Sequence, residues 1–143
     1  MSMFCYQCEQ TAKGTGCTSF GVCGKDPETA ALQDLIVHAT KQLSVCAHKL
    51  REQGVKDREI DRLTLKTLFT TVTNVNFDPG RLQSVLRELA GVLEKAQKSV
   101  TGVTNVWQPA ADLNGLIEQG EAVTVEKRIE AFGPDIAGLQ ELL

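Results

Sequence analysis

The longest apolar pattern in the chain runs from Pro27 to Gly54. Its apolar residues recur every three or four positions, which is the spacing of one face of an amphipathic helix. These residues are Ala31, Leu32, Leu35, Ile36, Ala39, Leu43, Cys46, Ala47 and Leu50. Asp26 supplies an N-cap acceptor, Pro27 suits the first helical position and Gly54 is a stop signal. The pattern predicts one long helix.

Two further helical patterns follow after short connections. The second begins at an Asp57 cap and ends near Asn74, and its predicted core face consists of Ile60, Leu63, Leu68, Phe69 and Val72. The third repeats the start signal at Asp78-Pro79 and continues to about Ser99. Its apolar positions are Leu82, Val85, Leu86, Leu89, Val92, Leu93 and Ala96. Three helices with short connections predict an antiparallel bundle.

The pattern weakens after residue 100. It predicts short helices around Ala110 to Glu118 and Val125 to Ala131, with Trp107 plugging a gap between elements. Residues 135–143 resemble the opening turns of another amphipathic helix without a stop signal. We therefore predict an all-α fold. It comprises a cysteine loop over residues 1–25, a three-helix bundle over 26–100, and a linker, short helices and the start of a second, incomplete bundle over 101–143.

Composition and charge exclude several classes of partner. The chain has 143 residues, of which 42% are hydrophobic and 23% charged, which fits one globular domain. Its 15 Lys and Arg are spread among 18 Asp and Glu, so the sequence offers no basic stripe for nucleic acid. No apolar run is long enough for a membrane span or a signal peptide. We expect a cytoplasmic protein without nucleic-acid or membrane partners.

Four of the five cysteines lie in the first 23 residues, at Cys5, Cys8, Cys17 and Cys23. They alternate with Gly14, Gly16, Gly21 and Gly24. Four soft thiolates on a flexible loop suit an iron–sulfur cluster, and glycine amides can approach its sulfides. All-cysteine zinc sites also use CxxC pairs, although their second pair is commonly closer than the five-residue gap before Cys23. The spacing favours iron–sulfur over zinc and zinc over disulfides, and it leaves all three open.

Other residues that could bind metal receive simpler interpretations. Cys46 lies on the apolar stripe of the first helix and is expected in the core, not as a fifth ligand. His38 and His48 are expected at the surface or its boundary. The charged neighbours of the cysteines are expected to be solvated loop residues. They are Glu9, Lys13 and Lys25.

Several stretches together resemble the N-terminus of the hybrid-cluster (prismane) proteins, the hydroxylamine reductase family. The first is Met3-Phe4-Cys5-Tyr6-Gln7-Cys8-Glu9-Gln10-Thr11-Ala12, followed by Gly16-Cys17-Thr18, Gly21-Val22-Cys23-Gly24-Lys25 and Leu32-Gln33-Asp34-Leu35. Residues 68–78 resemble that family's second helix and the turn after it. The similarity fades over residues 100–132. Residues 136–143 resemble the start of the family's next helical bundle.

The resemblance implies a ligand set and a role. Cys5, Cys8, Cys17 and Cys23 match the four ligands of the family's N-terminal cluster, in the spacing that holds [4Fe-4S] and not [2Fe-2S]. By resemblance this cluster relays electrons, and it is expected to be lost in air. Full-length members reduce hydroxylamine to ammonia, or nitric oxide, at a hybrid iron–sulfur–oxygen cluster in downstream domains. Beyond Cys46 this chain has no cysteine to bind such a cluster.

The resemblance therefore implies an N-terminal fragment, a truncated product or a stand-alone relay domain of an oxidoreductase, catalytically incompetent alone, and the unfinished last helix favours a fragment. Its expected partners are the missing downstream domains and a donor that is ferredoxin-like or a flavin- or iron–sulfur-containing reductase. Self-association through the unfinished last helix is a further expectation, resting on Ile136, Leu139, Leu142 and Leu143. The alternative is a helical interaction or assembly fragment, zinc-stabilised or metal-free, with no redox activity.

Overall fold

The structure, a computed structural model, describes residues 3–5, 8, 14, 16–73 and 76–133. This part of the chain forms five helices: α1 (Pro27–Glu52), α2 (Arg58–Val72), α3 (Pro79–Lys98), α4 (Leu113–Ala122) and α5 (Val125–Phe132). The predicted all-α, bundle-like fold is confirmed. The predicted helix over residues 135–143, with its proposed self-association, lies outside the described residues. None of the described helices has the length and apolar character needed to cross a membrane.

Aspartate caps start the first three helices as the sequence predicts. The Asp26 carboxylate accepts a hydrogen bond from the backbone N–H of Thr29 at 2.7 Å. Asp57 and Asp78 cap α2 and α3 in the same way, each accepting from backbone amides of the first turn. α1 ends at Glu52, and Gly54 then adopts a φ of +78°, which favours glycine.

The core is organised around α1, which packs against α2, α3 and α4. The C-terminal half of α1 shares one buried cluster with Ile60 and Leu63 of α2 and with the later turns of α3. Its N-terminal half shares a second buried cluster with the first turns of α3 and with Leu116 and Ile117 of α4. The domain boundary predicted at residue 100 stays a prediction, and α4 packs on α1 across it.

Two side chains predicted to fill the interior do so. Cys46 is fully buried in the first of these clusters. Trp107 packs against both clusters, and its indole N–H donates to Oε1 of Gln119 at 3.2 Å. The same Gln119 oxygen accepts from the backbone N–H of Ala110 at 3.1 Å. The tryptophan therefore closes the junction between α1 and α4.

The orientation of α2 differs from the prediction. Ile60 and Leu63 are buried as expected, but the prediction is wrong for the second half of the helix. Leu68, Phe69 and Val72 are exposed there, with Phe69 at 69%. Together with Leu65 they form an outward apolar face.

Threonines occupy the inward positions of α2 instead. Thr67 and Thr71 are buried, and each hydroxyl donates to the carbonyl three residues earlier at 2.9 Å. The hydroxyl of Thr40 on α1 lies 2.9 Å from that of Thr67. Because these hydroxyls are satisfied within the helices, the threonine methyl groups can pack in the core.

Candidate metal centre

Cys5 and Cys17 lie side by side in an antiparallel backbone bridge. The N–H of Cys5 donates to the carbonyl of Cys17 at 3.0 Å, and the N–H of Cys17 donates to the carbonyl of Cys5 at 2.8 Å. A third bond, from Met3 N–H to the carbonyl of Thr18 at 3.1 Å, extends the pairing. Main-chain hydrogen bonds therefore bring two of the predicted ligands together.

This bridge is anchored to the start of α1. Met3 and Cys17 are buried against Ala30 in the first turn of the helix, and Cys5 packs against the same cluster. Gly16 packs closely beside the bridge, and a Cβ there would lie 2.6 Å from the ring of Phe4, so the ring would have to shift. The beginning of the cysteine loop is thus fixed to the helix that organises the core.

Cys23 lies on a tight turn over residues 21–25. The N–H of Gly21 donates to the carbonyl of Lys25 at 2.7 Å, and the N–H of Gly24 donates to the carbonyl of Gly21 at 2.9 Å. Gly24 has a φ of +92°, and a Cβ on Gly21 would lie 3.2 Å from Sγ of Cys23. The sequence predicts glycine amides that approach a cluster, whereas the amides of Gly21 and Gly24 donate within the turn.

The four loop thiols differ in exposure. Cys17 is buried, Cys5 and Cys8 are half-buried and Cys23 is exposed. None of the four forms a disulfide, and neither does Cys46, whose thiol pKa is raised because burial disfavours the thiolate. Burial therefore lowers the reactivity of the Cys46 thiol at neutral pH.

Lys25 is the residue that sequence reasoning misplaces. The solvated position expected for it is wrong, because only 1% of the residue is exposed. Its Nζ lies 3.6 Å from Sγ of Cys5. A buried ammonium requires electron-rich neighbours, and a sulfur provides one. The only signal in the sequence is that this lysine lies two positions after Cys23; Glu9 and Lys13 lie outside the described residues.

The two histidines lie apart from this loop, further along α1. His38 is half-buried beside Gln42, and His48 is exposed near Glu52, so their predicted surface or boundary positions are confirmed. Among the described residues, no three His, Cys, Asp or Glu side chains converge on a single metal-ion position. The cysteine loop remains the place where soft ligands concentrate.

The residues of the loop fit an iron–sulfur cluster. Its donors are four cysteine sulfurs outside any disulfide, which soft metals prefer. In a [4Fe-4S] cluster each thiolate binds a different iron atom, so the four sulfurs need not converge on one point as they do around zinc. Gly16 and Gly21 admit close packing next to Cys17 and Cys23, and Lys25 brings a positive charge to the thiol of Cys5.

Comparison with known proteins gives one consistent result. The Prismane/CO dehydrogenase family model matches residues 3–143. A protein named Hydroxylamine reductase from Rhodospirillum rubrum is 45% identical over 99% of this chain, which corresponds to 28% of that protein. Relatives of the same name from Methanocella arvoryzae and Syntrophobacter fumaroxidans are 50% and 43% identical over 98% and 99% of the chain.

The chain spans slightly more than a quarter of the length of these relatives, 27–28% in each case. Because the family model covers nearly all of the sequence, from residue 3 to residue 143, the match includes all four loop cysteines and every described helix. The chain belongs to the Prismane/CO dehydrogenase family.

Proposed function

We propose that this chain is the electron-relay portion of an oxidoreductase of the hydroxylamine reductase type, with a [4Fe-4S] cluster held by Cys5, Cys8, Cys17 and Cys23. The observation that carries the proposal is the concentration of four cysteines, none of them in a disulfide, on one loop of a chain 45% identical to a protein named Hydroxylamine reductase. Thiolates in this number are the usual ligands of such clusters.

Each part of the loop would have a distinct task. The bridge would hold Cys5 and Cys17 at a fixed separation against Ala30, and the 21–25 turn would present Cys23 from the opposite end of the loop. When bound, a [4Fe-4S] cluster supplies one-electron transfer. Cys17 is buried and Cys23 is exposed, so one ligand would face the bundle and another would face an approaching donor or neighbouring domain.

The parent activity is part of the same proposal. In a full-length enzyme, hydroxylamine would be reduced to ammonia, or nitric oxide reduced, at a hybrid cluster outside this chain. A ferredoxin-like protein or a flavin- or iron–sulfur-containing reductase in the cytoplasm would supply the electrons. Since the chain spans only 28% of the Rhodospirillum rubrum relative, we expect no hydroxylamine turnover by it alone.

Anaerobic reconstitution tests the cluster directly. The chain is expected to bind about four iron and four sulfide ions and to show a brown absorption that dithionite bleaches. Replacing any one of the four loop cysteines by alanine should lower the iron content. Cys46→Ala is the matched control, because Cys46 is fully buried in the helical core, and it should keep the iron content unchanged.

Three outcomes would count against the proposal. One zinc per chain without a visible chromophore would favour the zinc-stabilised interaction module. No metal at all under anaerobic conditions would favour the metal-free assembly fragment. Iron loss in Cys46→Ala equal to that in the loop variants would show that the assigned ligand set is wrong.

A further inference from the structure

We propose that Lys25 is a positioning residue of the cysteine loop that makes the cluster easier to reduce by placing a fixed positive charge against the Cys5 ligand. This inference rests on the proposed function, because it requires that Cys5 bind the cluster. It goes beyond ligand assignment, since Lys25 is not itself a ligand. The lysine Nζ lies 3.6 Å from Sγ of Cys5, and the residue is 99% buried, with 1% exposed.

Hydrogen bonds hold the backbone of Lys25 and of the residue that follows it, and so fix the position from which the lysine side chain extends. Its carbonyl accepts the 2.7 Å hydrogen bond from Gly21 that closes the 21–25 turn. The next residue, Asp26, caps α1 through the amide of Thr29. Lys25 therefore joins the turn that carries Cys23 to the helix that anchors Cys5 and Cys17, and its side chain crosses back to Cys5.

Burial makes this charge effective. A surface lysine is screened by water and salt, whereas a charge in a water-poor site acts on its neighbours at a much lower effective dielectric constant. When dithionite or a protein donor gives up one electron, the thiolate-bound cluster gains one unit of negative charge. The Lys25 ammonium attracts that added charge and so favours the reduced state. Charge and hydrogen bonding at the ligand sulfurs are known determinants of cluster potentials.

The test is the midpoint potential of the reconstituted 143-residue chain, measured by anaerobic redox titration. Lys25→Met keeps an unbranched side chain and removes the charge, and Lys25→Gln removes the charge but keeps a polar end. Both should lower the equilibrium constant for reduction at least about tenfold, which is a shift of about 59 mV to more negative potential for one electron. Lys25→Arg keeps the positive charge, so its midpoint potential should lie close to that of the unaltered chain.

Lys56→Met is the matched control for loss of one positive charge. Lys56 is exposed in the turn after α1, at the end of that helix opposite the cysteine loop. Its removal should leave the potential unchanged. Circular dichroism and iron content, recorded for each variant, separate a loss of folding or loading from a change in potential.

The outcomes distinguish this inference from the proposed function. If the unaltered chain binds no iron and sulfide, the proposed function fails and the role of Lys25 fails with it. If Lys25→Met and Lys25→Gln bind the full cluster and have the same midpoint potential as the unaltered chain, only the role of Lys25 is refuted. If neither variant binds the cluster while Lys25→Arg does, the positive charge is needed for cluster binding and not for tuning the potential, and the inference is wrong. If Lys25→Arg also fails to load, the lysine is structural and the inference is wrong.

Discussion

The contact between α4 and α1 predicts opposite effects for the same substitution at two helical glycines. Gly120 of α4 lies directly on the backbone of α1, and a Cβ there would be 2.1 Å from the carbonyl oxygen of Ala31. Gly91 of α3 faces solvent, and a Cβ there would meet nothing within 4 Å. Alanine therefore fits at position 91 without a clash, whereas at position 120 it clashes with the backbone of α1.

The magnitudes follow from local propensity and packing. Gly91→Ala should stabilise the chain by about 0.5–1 kcal/mol, because alanine loses less backbone entropy in a helix. Gly120→Ala gains the same propensity but must push α4 outward by about 1 Å to reach ordinary contact, since carbons pack at about 3.5–4 Å. Overpacking costs about 1–3 kcal/mol, and the shift also loosens Leu116 and Ile117 against α1. Because the propensity gain is common to both variants, we expect their free energies of unfolding to differ by about 1–3 kcal/mol.

Urea denaturation followed by circular dichroism measures this difference, with Trp107 fluorescence as a second probe close to α4. Thermal unfolding should separate the variants by about 3–9 °C, at roughly 3 °C per kcal/mol for a chain of this size. Hydrogen exchange should accelerate in α4 of Gly120→Ala and stay unchanged in Gly91→Ala. Equal free energies of unfolding within about 0.5 kcal/mol would refute the backbone contact between α4 and α1.

Three further predictions concern single side chains. In the metal-free native chain, Cys46 should react with iodoacetamide at least about tenfold more slowly than exposed Cys23, because burial raises its pKa and blocks access; equal rates by peptide mass spectrometry would contradict this. Gln119→Ala should cost about 1–2 kcal/mol and change Trp107 emission, since Gln119 accepts the indole N–H; an unchanged spectrum would argue against that bond. Phe69→Ser should change the free energy of unfolding by less than about 0.5 kcal/mol, whereas Leu63→Ala should cost about 2–5 kcal/mol; the reverse order would mean that α2 is turned the other way.

The helices were predictable where their signals are local. An aspartate followed by a proline at α1 and α3 satisfies first-turn amides and sets the backbone for a helix within a few residues. The face that α2 turns inward was not predictable in the same way. Its apolar residues occupy two sides of the helix, and Thr67 and Thr71 become acceptable in the core only because their hydroxyls find carbonyl partners.

The candidate site also has a part that the sequence predicts and a part that it does not. Four candidate ligands could be named without a structure, because the spacing of the cysteines can be read directly from the sequence. The position of Lys25 depends on how the 21–25 turn meets the pairing of Cys5 with Cys17, which are distant segments brought together by folding. No periodicity or local composition encodes such a crossing. A lysine beside cysteines in the sequence therefore gives no indication of whether its charge reaches them.

Because the core is divided into two clusters along α1, the chain can be shortened only to a limited extent without exposing the helix that anchors the cysteine loop. The end of α1 that anchors the loop through Ala30 belongs to the half of the helix covered by early α3 and by α4. A peptide ending at residue 100 would keep the three long helices but leave Leu32 and Leu35 without Leu116 and Ile117. The smallest autonomous carrier of this loop therefore extends to α4, even though the two are separated by about ninety residues of sequence.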